Sequence, residues 1–192
     1  MKVTRYNLGV DSGQMAVCPV APDYKVGKSK GESTPVLRGA SGGRCDVSIE
    51  QEKGRVKALN VNFNAYGRYN LGGKSFVVAD PCYIYKDEFM MDSEPTGLPY
   101  DTACRQTCDT PEQAGRFPVD IGTHEVQGFA TSTGWGDGVY PIEVTTNNEG
   151  DVIDIRMDFM EDADSSFWDE DSEDYSLDDG DEDEDEGEDD EI

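Results

Sequence analysis

The pentapeptide RYNLG occurs twice, at 5–9 and 68–72, and each copy opens an apolar run that closes on a proline. The match extends beyond five letters. "RYNLGVDSGQMAVCP" (5–19) aligns with "RYNLGGKSFVVADP" (68–81) with one residue of offset, ending on Pro19 and Pro81. Further along, "GRCDVSIEQEKGRVKALNVNF" (43–63) aligns with "GVYPIEVTTNNEGDVIDIRMDF" (138–159) with a single gap, ending on Phe63 and Phe159. Alternation and glycine turns are generic to β-rich chains. Agreement of four strands in one order argues instead for a repeated unit. The expectation is an all-β fold of two related small β-units, 1–64 and 66–160. They would be two small barrels or sandwiches, or would pair into one pseudo-symmetric sandwich. Lone hairpins bury no face, so one unit packed on the other supplies a core that neither has alone.

Strand patterns dominate both units. In "GRVKALNVNF" (54–63), Val56, Leu59, Val61 and Phe63 nearly alternate with polar residues, and in "GDVIDIRMDF" (150–159) Ile153, Ile155, Met157 and Phe159 alternate fully. Each follows a turn, "QEKG" or "NNEG", so each reads as the second strand of a hairpin with one buried face. Between the shared elements the units differ. Unit 1, the degenerate copy, holds a polar stretch with Lys25, Lys28, Lys30 and Arg38 that reads as a flexible basic loop (23–43). Unit 2 holds a longer insert, 86–126. Its strongest helix signal is "DTPEQAG" (109–115), with Thr110 as N-cap, Pro111 at the first helical position, Gln113 closing a capping box and Gly115 as the stop. The preceding "YDTACRQTC" would add one turn. Long inserts carry function more often than cores do, so chemistry is sought there first.

Charge separates a third region. Of 42 acidic residues, 20 lie in 161–192, which has no Lys or Arg, leaving 22 against 16 basic residues in 1–160. A net charge near −6 on the body opposes a phosphate footprint, so direct nucleic-acid binding is not expected. Self-repulsion and few apolar residues predict a disordered C-terminal tail. A solubility device would need only charge. Phe167, Trp168, Tyr175 and Leu177 set among carboxylates suit aromatic and aliphatic anchors for a protein partner with a basic surface. No segment has the roughly 18 apolar residues that span a bilayer, and the start has no signal-peptide pattern. Five irregularly spaced cysteines suit free thiols. Together these predict a cytoplasmic protein with no membrane partner.

Within unit 2, "VVADPCY" (77–83) and "TGWGDGVYPIEV" (133–144) carry the candidate site. Proline after Asp80 forces extended backbone and removes an N–H, which leaves the Asp80 carboxylate at a strand rim. Asp137 lies between Gly136 and Gly138 in a turn that calls for positive φ. If the hairpin packs beside the Asp-Pro strand, Asp80, Tyr83, Asp137 and Tyr140 converge, with Trp135 as a stacking surface for a small ligand or a side chain. The competing reading has both aspartates capping turns and the aromatics in the core. An apolar strand running into Asp-Pro, then a glycine-rich turn with Tyr-Pro, resembles uncharacterised bacterial and bacteriophage proteins of unknown function, marked by "SG…DP" and "G-x-YPV". The resemblance covers about 70–160, with "SGQMAVCP" (12–19) as a second instance, and implies a β-rich fold without a reaction. Unit 1 departs from it: Cys18 stands where Asp80 stands.

Cys82 with His124 and an acid, Asp80 or Asp120, would make a thiol-hydrolase triad, but no helix N-terminus lowers the thiol pKa. Cys104 and Cys108 share a helix face, and with Cys82 and His124 would complete a zinc site, but without paired CxxC knuckles. No cofactor, metal or catalytic residue is therefore expected. The functional expectation is a non-enzymatic binding or inhibitory accessory protein, produced by a phage in the host cytoplasm, whose acidic tail obstructs a nucleic-acid-handling or defence protein. The alternatives are a small-molecule binder or thiol hydrolase at the Asp-Pro-Cys-Tyr strand end, and a virion structural or assembly component.

Overall fold

The computed structural model describes residues 1–24, 34–71, 75–84, 99–120 and 125–159. In chain order its strands are β1 (Lys2–Val10), β2 (Gln14–Pro19), β3 (Leu37–Arg38), β4 (Arg44–Glu52), β5 (Arg55–Phe63), β6 (Tyr69–Asn70) and β7 (Ser75–Ala79). One helix, α1 (Pro99–Cys108), precedes β8 (Ala114–Asp120), β9 (Glu125–Ser132), β10 (Gly138–Thr146) and β11 (Val152–Asp158). The strands form two sheets with orders β1-β10-β11-β5-β4-β6 and β3-β7-β2-β9-β8. Every pairing between these strands is antiparallel. The described residues form an all-β fold with one short α-helix.

Period-2 patterning places the layers. Leu8, Val10, Val56, Leu59, Val61, Ile142, Ile155 and Met157 of the six-stranded sheet pack against Met15, Val17, Phe76, Val78 and Phe129 of the five-stranded sheet. Phe63 and Phe76 stack across the gap with ring centroids 5.1 Å apart. Each such side chain removed from water contributes about 1.5–3 kcal/mol. The alternate residues of the second sheet, Ala16, Cys18, Val77, Ala79, Phe117 and Ala130, are buried as well. They lie under Ala103 of α1, Ile84 and Val20. That cover explains why β2 is buried at every position and reads as a continuous apolar run. The six-stranded sheet turns a polar outer face to solvent.

Pairing reproduces the alignment of the halves. Asn60 pairs with Arg156, the residue it aligns with, while Leu59–Met157 and Val61–Ile155 exchange into one another. At the centre of the other sheet, Ala16–Ala79 and Val17–Val78 exchange in the same way. Swapping β1 with β6, β4 with β10 and β5 with β11 reverses the six-stranded order onto itself. One edge departs. Leu8 faces Tyr140, but Cys45, aligned with Tyr140, faces Tyr69 rather than Leu71. A slip of two residues preserves the inward face, and both Leu8 and Leu71 are buried.

Two local expectations are corrected. The helix occupies 99–108, with a proline in its first position, and "DTPEQAG" is the turn that ends it. Asp109 N–H donates to the Arg105 carbonyl at 3.1 Å, and the Thr110 hydroxyl donates back to the Gln106 carbonyl instead of capping a new helix. Gln113 has φ +54° and Gly115 lies within β8. The second half of the 23–43 stretch is also structured: Thr34 accepts from Val78 N–H at 2.7 Å and donates to its carbonyl at 2.9 Å, and β3 follows. Lys25, Lys28 and Lys30, His124 and the whole acidic segment 161–192 lie outside the described residues.

Candidate functional site

Three turns and α1 meet at one end of the sandwich. Asp80, at the end of β7, is fully buried. Its Oδ2 accepts from the backbone N–H groups of Asp11 and Ser12, each at 2.8 Å, and its Oδ1 accepts from the Ser12 hydroxyl at 2.6 Å and from Cys82 N–H at 2.8 Å. The carboxylate therefore caps the 3₁₀ turn Pro81–Tyr83 and holds the β1–β2 turn through residues 68 and 69 positions away in sequence. A buried charge is stable only when its lone pairs are filled this way. The Tyr83 hydroxyl donates to the Asp11 carboxylate, closing the same junction.

Gln14, the first residue of β2, ties this junction to the helix. Its amide donates to Cys104 Sγ at 3.2 Å and its Oε1 accepts from the Thr107 hydroxyl at 2.9 Å. Tyr100, on α1, is held well above the usual tyrosine range, by burial first and then by Cys104, with Cys82 and Asp80 contributing. Asp80 and Cys82 belong to the 3₁₀ turn that α1 packs against, and Tyr100 and Cys104 stand one turn apart on that helix. Cys108, one turn beyond Cys104, is exposed, and among the described residues no group of His, Cys, Asp and Glu could hold a metal ion.

The third turn, 133–137, docks on the first. Thr133 N–H donates to the Gly13 carbonyl at 3.0 Å, and a Cβ at Gly13 would lie 3.4 Å from Gly136 Cα. The Gly136 carbonyl accepts from Thr133 Oγ1 at 2.6 Å and from Tyr140 Oη at 2.8 Å. Tyr140 is a core residue, edge-on to Phe159 at 5.5 Å, and burial raises its hydroxyl pKa. Asp137 is exposed beside Gly13. The structure thus gathers Asp80 and Tyr83 at one junction and sets Asp137 in the turn packed against it, with Tyr140 on β10 bonded to that turn. Trp135 goes elsewhere. It is 61% exposed and turned toward the β4–β5 hairpin, where the Arg55 guanidinium lies 5.1 Å from its ring centroid. Glu52, Lys53, Arg55 and Trp135 line a hollow of about 410 Å³.

Sequence reasoning passed over Ser12, Gln14 and Tyr100. Ser12 and Asp80, 68 positions apart in the chain, are hydrogen-bonded through both the Ser12 N–H and its hydroxyl. Gln14 and Tyr100 carry no local pattern. Together, the fold and this junction define a two-sheet antiparallel sandwich in which the buried carboxylate of Asp80 is bound by the protein's own turns. Comparison with protein-family models, with curated proteins and with solved structures gives no match.

Proposed function

We propose that the protein works by binding rather than by catalysis: a sandwich built from two copies of one unit, 1–64 and 66–160, presents the acidic segment 161–192 to a protein partner with a basic surface. The observation that carries this reading is the saturation of Asp80. The carboxylate best placed for chemistry accepts four hydrogen bonds from groups that shape two turns, leaving no lone pair directed at a ligand. What remains is charge and aromatic surface: 20 carboxylates in 161–192 with Phe167, Trp168, Tyr175 and Leu177 among them. A polyanion of this kind competes with nucleic acid for a basic groove. The bacteriophage resemblance makes a nucleic-acid-handling or defence protein of the infected host the natural target.

The test compares the native chain with one in which the acidic residues of 169–191 are replaced by Asn and Gln. The native chain is expected to retain its partner at low salt, to release it by about 0.5 M salt, where screening is nearly complete, and to displace nucleic acid from it. Retention that is equal for both chains and indifferent to salt would overturn the reading.

A further inference from the structure

The hollow at Trp135 has two properties that point to one occupant. Lys53 and Arg55 make no ion pair among the described residues, and the neighbouring carboxylate of Glu52 is engaged by Lys57 at 3.5 Å. The Arg55 guanidinium carbon lies 5.1 Å from the centroid of the exposed Trp135 ring, which sets a planar cationic donor group beside an aromatic surface. The site therefore combines cationic donors with an aromatic platform. It fits a segment in which aromatic residues stand directly beside carboxylates.

The chain supplies that segment at the right place. Phe159 N–H donates to the Lys57 carbonyl at 2.8 Å, so the described chain ends beside β5, two residues from Arg55. The turn that carries Trp135 is pressed on the same strand, since a Cβ at Gly134 would lie 2.1 Å from the Val56 carbonyl oxygen. Phe167 and Trp168 follow eight and nine residues later, and Asp169, Glu170 and Asp171 come next. Eight residues span up to about 27 Å, more than the distance from Lys57 to the Trp135 turn demands.

We propose that the segment 165–171 docks on its own body, with Phe167 or Trp168 against the Arg55–Trp135 pair and the following carboxylates on Lys53 and Arg55. The clasp holds the start of the polyanion at β5 until a stronger cationic surface displaces it. It is a property of the isolated chain and stands whether or not the partner proposed above is correct.

Zero-length carbodiimide coupling of the full chain, mapped by peptide mass, tests the charge contact. Lys53 is expected to couple to carboxylates of 161–174 within one molecule, independently of protein concentration. Yield should fall at least fivefold in F167A/W168A and in about 0.5 M salt, with R55A lowering it too. The Trp135 indole N–H resonance tests the aromatic contact, and it should shift in F167A/W168A, whose substitutions leave the sandwich residues intact. Coupling no stronger at Lys53 than at Lys2, coupling only between molecules, or an indole resonance unmoved by F167A/W168A would each overturn the clasp.

Discussion

Asp80 sets two turns with one side chain, so its replacement tests both at once. In D80N an amide N–H₂ must face donors that now point at an oxygen, and the charge-assisted part of four bonds is lost. The expected cost is about 2–4 kcal/mol, read as a lower midpoint in urea unfolding with the far-ultraviolet spectrum unchanged. A loss below 0.5 kcal/mol would remove Asp80 from its structural role. Cys45 makes a pH-dependent case. Burial, with the nearby charge of Asp46, lifts its thiol from an ordinary value of 9.0 to about 12. The folded state then binds the proton more tightly than the unfolded chain does. The stabilisation is complete below pH 9 and is lost as pH rises toward 12, at up to about 1.4 kcal/mol per pH unit. C45A is expected to start less stable because of the cavity, yet to show a shallower decline between pH 9 and pH 11 in a denaturant series. Tyr100 and Tyr140, also raised by burial, keep some of the alkaline decline in both proteins.

Among the elements, strands and helix differ in how plainly the sequence announces them. β5 and β11 alternate because one face is buried and the other wet, and that contrast is written in the residues at 56–63 and 152–159. Helix α1 is less plain. Its buried side is made of small residues, Ala103 and Thr107, chosen for close approach to the second sheet rather than for an apolar stripe. Thr110, Pro111 and Gln113 have the residue types of a helix start, yet they end one, because Thr110 turns back to Gln106. The Asp80 junction was legible only in part. Asp-Pro marks a rim, but that the carboxylate reaches Asp11 and Ser12 follows from the pairing of β2 with β7, a long-range fact. The close fit of α1 gives its own prediction. A103L forces three extra carbons into a site with no exposure, beside Ile84 and Phe117, and should cost about 1–3 kcal/mol. R105A, on the exposed side of the same helix, should change the thermal midpoint little. Equal midpoints for both variants would mean that the helix does not pack as described.

At the scale of the whole molecule, the repeated pentapeptide marks the two ends of one sheet. β1 and β6 are the outer strands of the six-stranded sheet, while β5 and β11, from opposite halves, form its centre. The second sheet has the same construction, with β2 and β7 from opposite halves at its middle. Neither half therefore owns a complete sheet. Residues 1–64 alone would expose the edges of β5 and β2 and lose Ile142, Ile155, Met157, Phe76 and Phe129 from the core, and residues 66–159 would lose Leu8, Met15, Val17 and Leu59. Several unpartnered strand edges and a halved core leave each piece below the surface burial that a small β-unit requires. Each half expressed separately is expected to lack the dispersed amide spectrum of a folded protein. Mixed in equal amounts, the two should recover it and elute as a one-to-one complex, because the pairings Asn60–Arg156 and Ala16–Ala79 need no covalent link between the halves. A dispersed spectrum from either half alone would show that the units fold independently, and that the central pairings join two finished bodies rather than complete one.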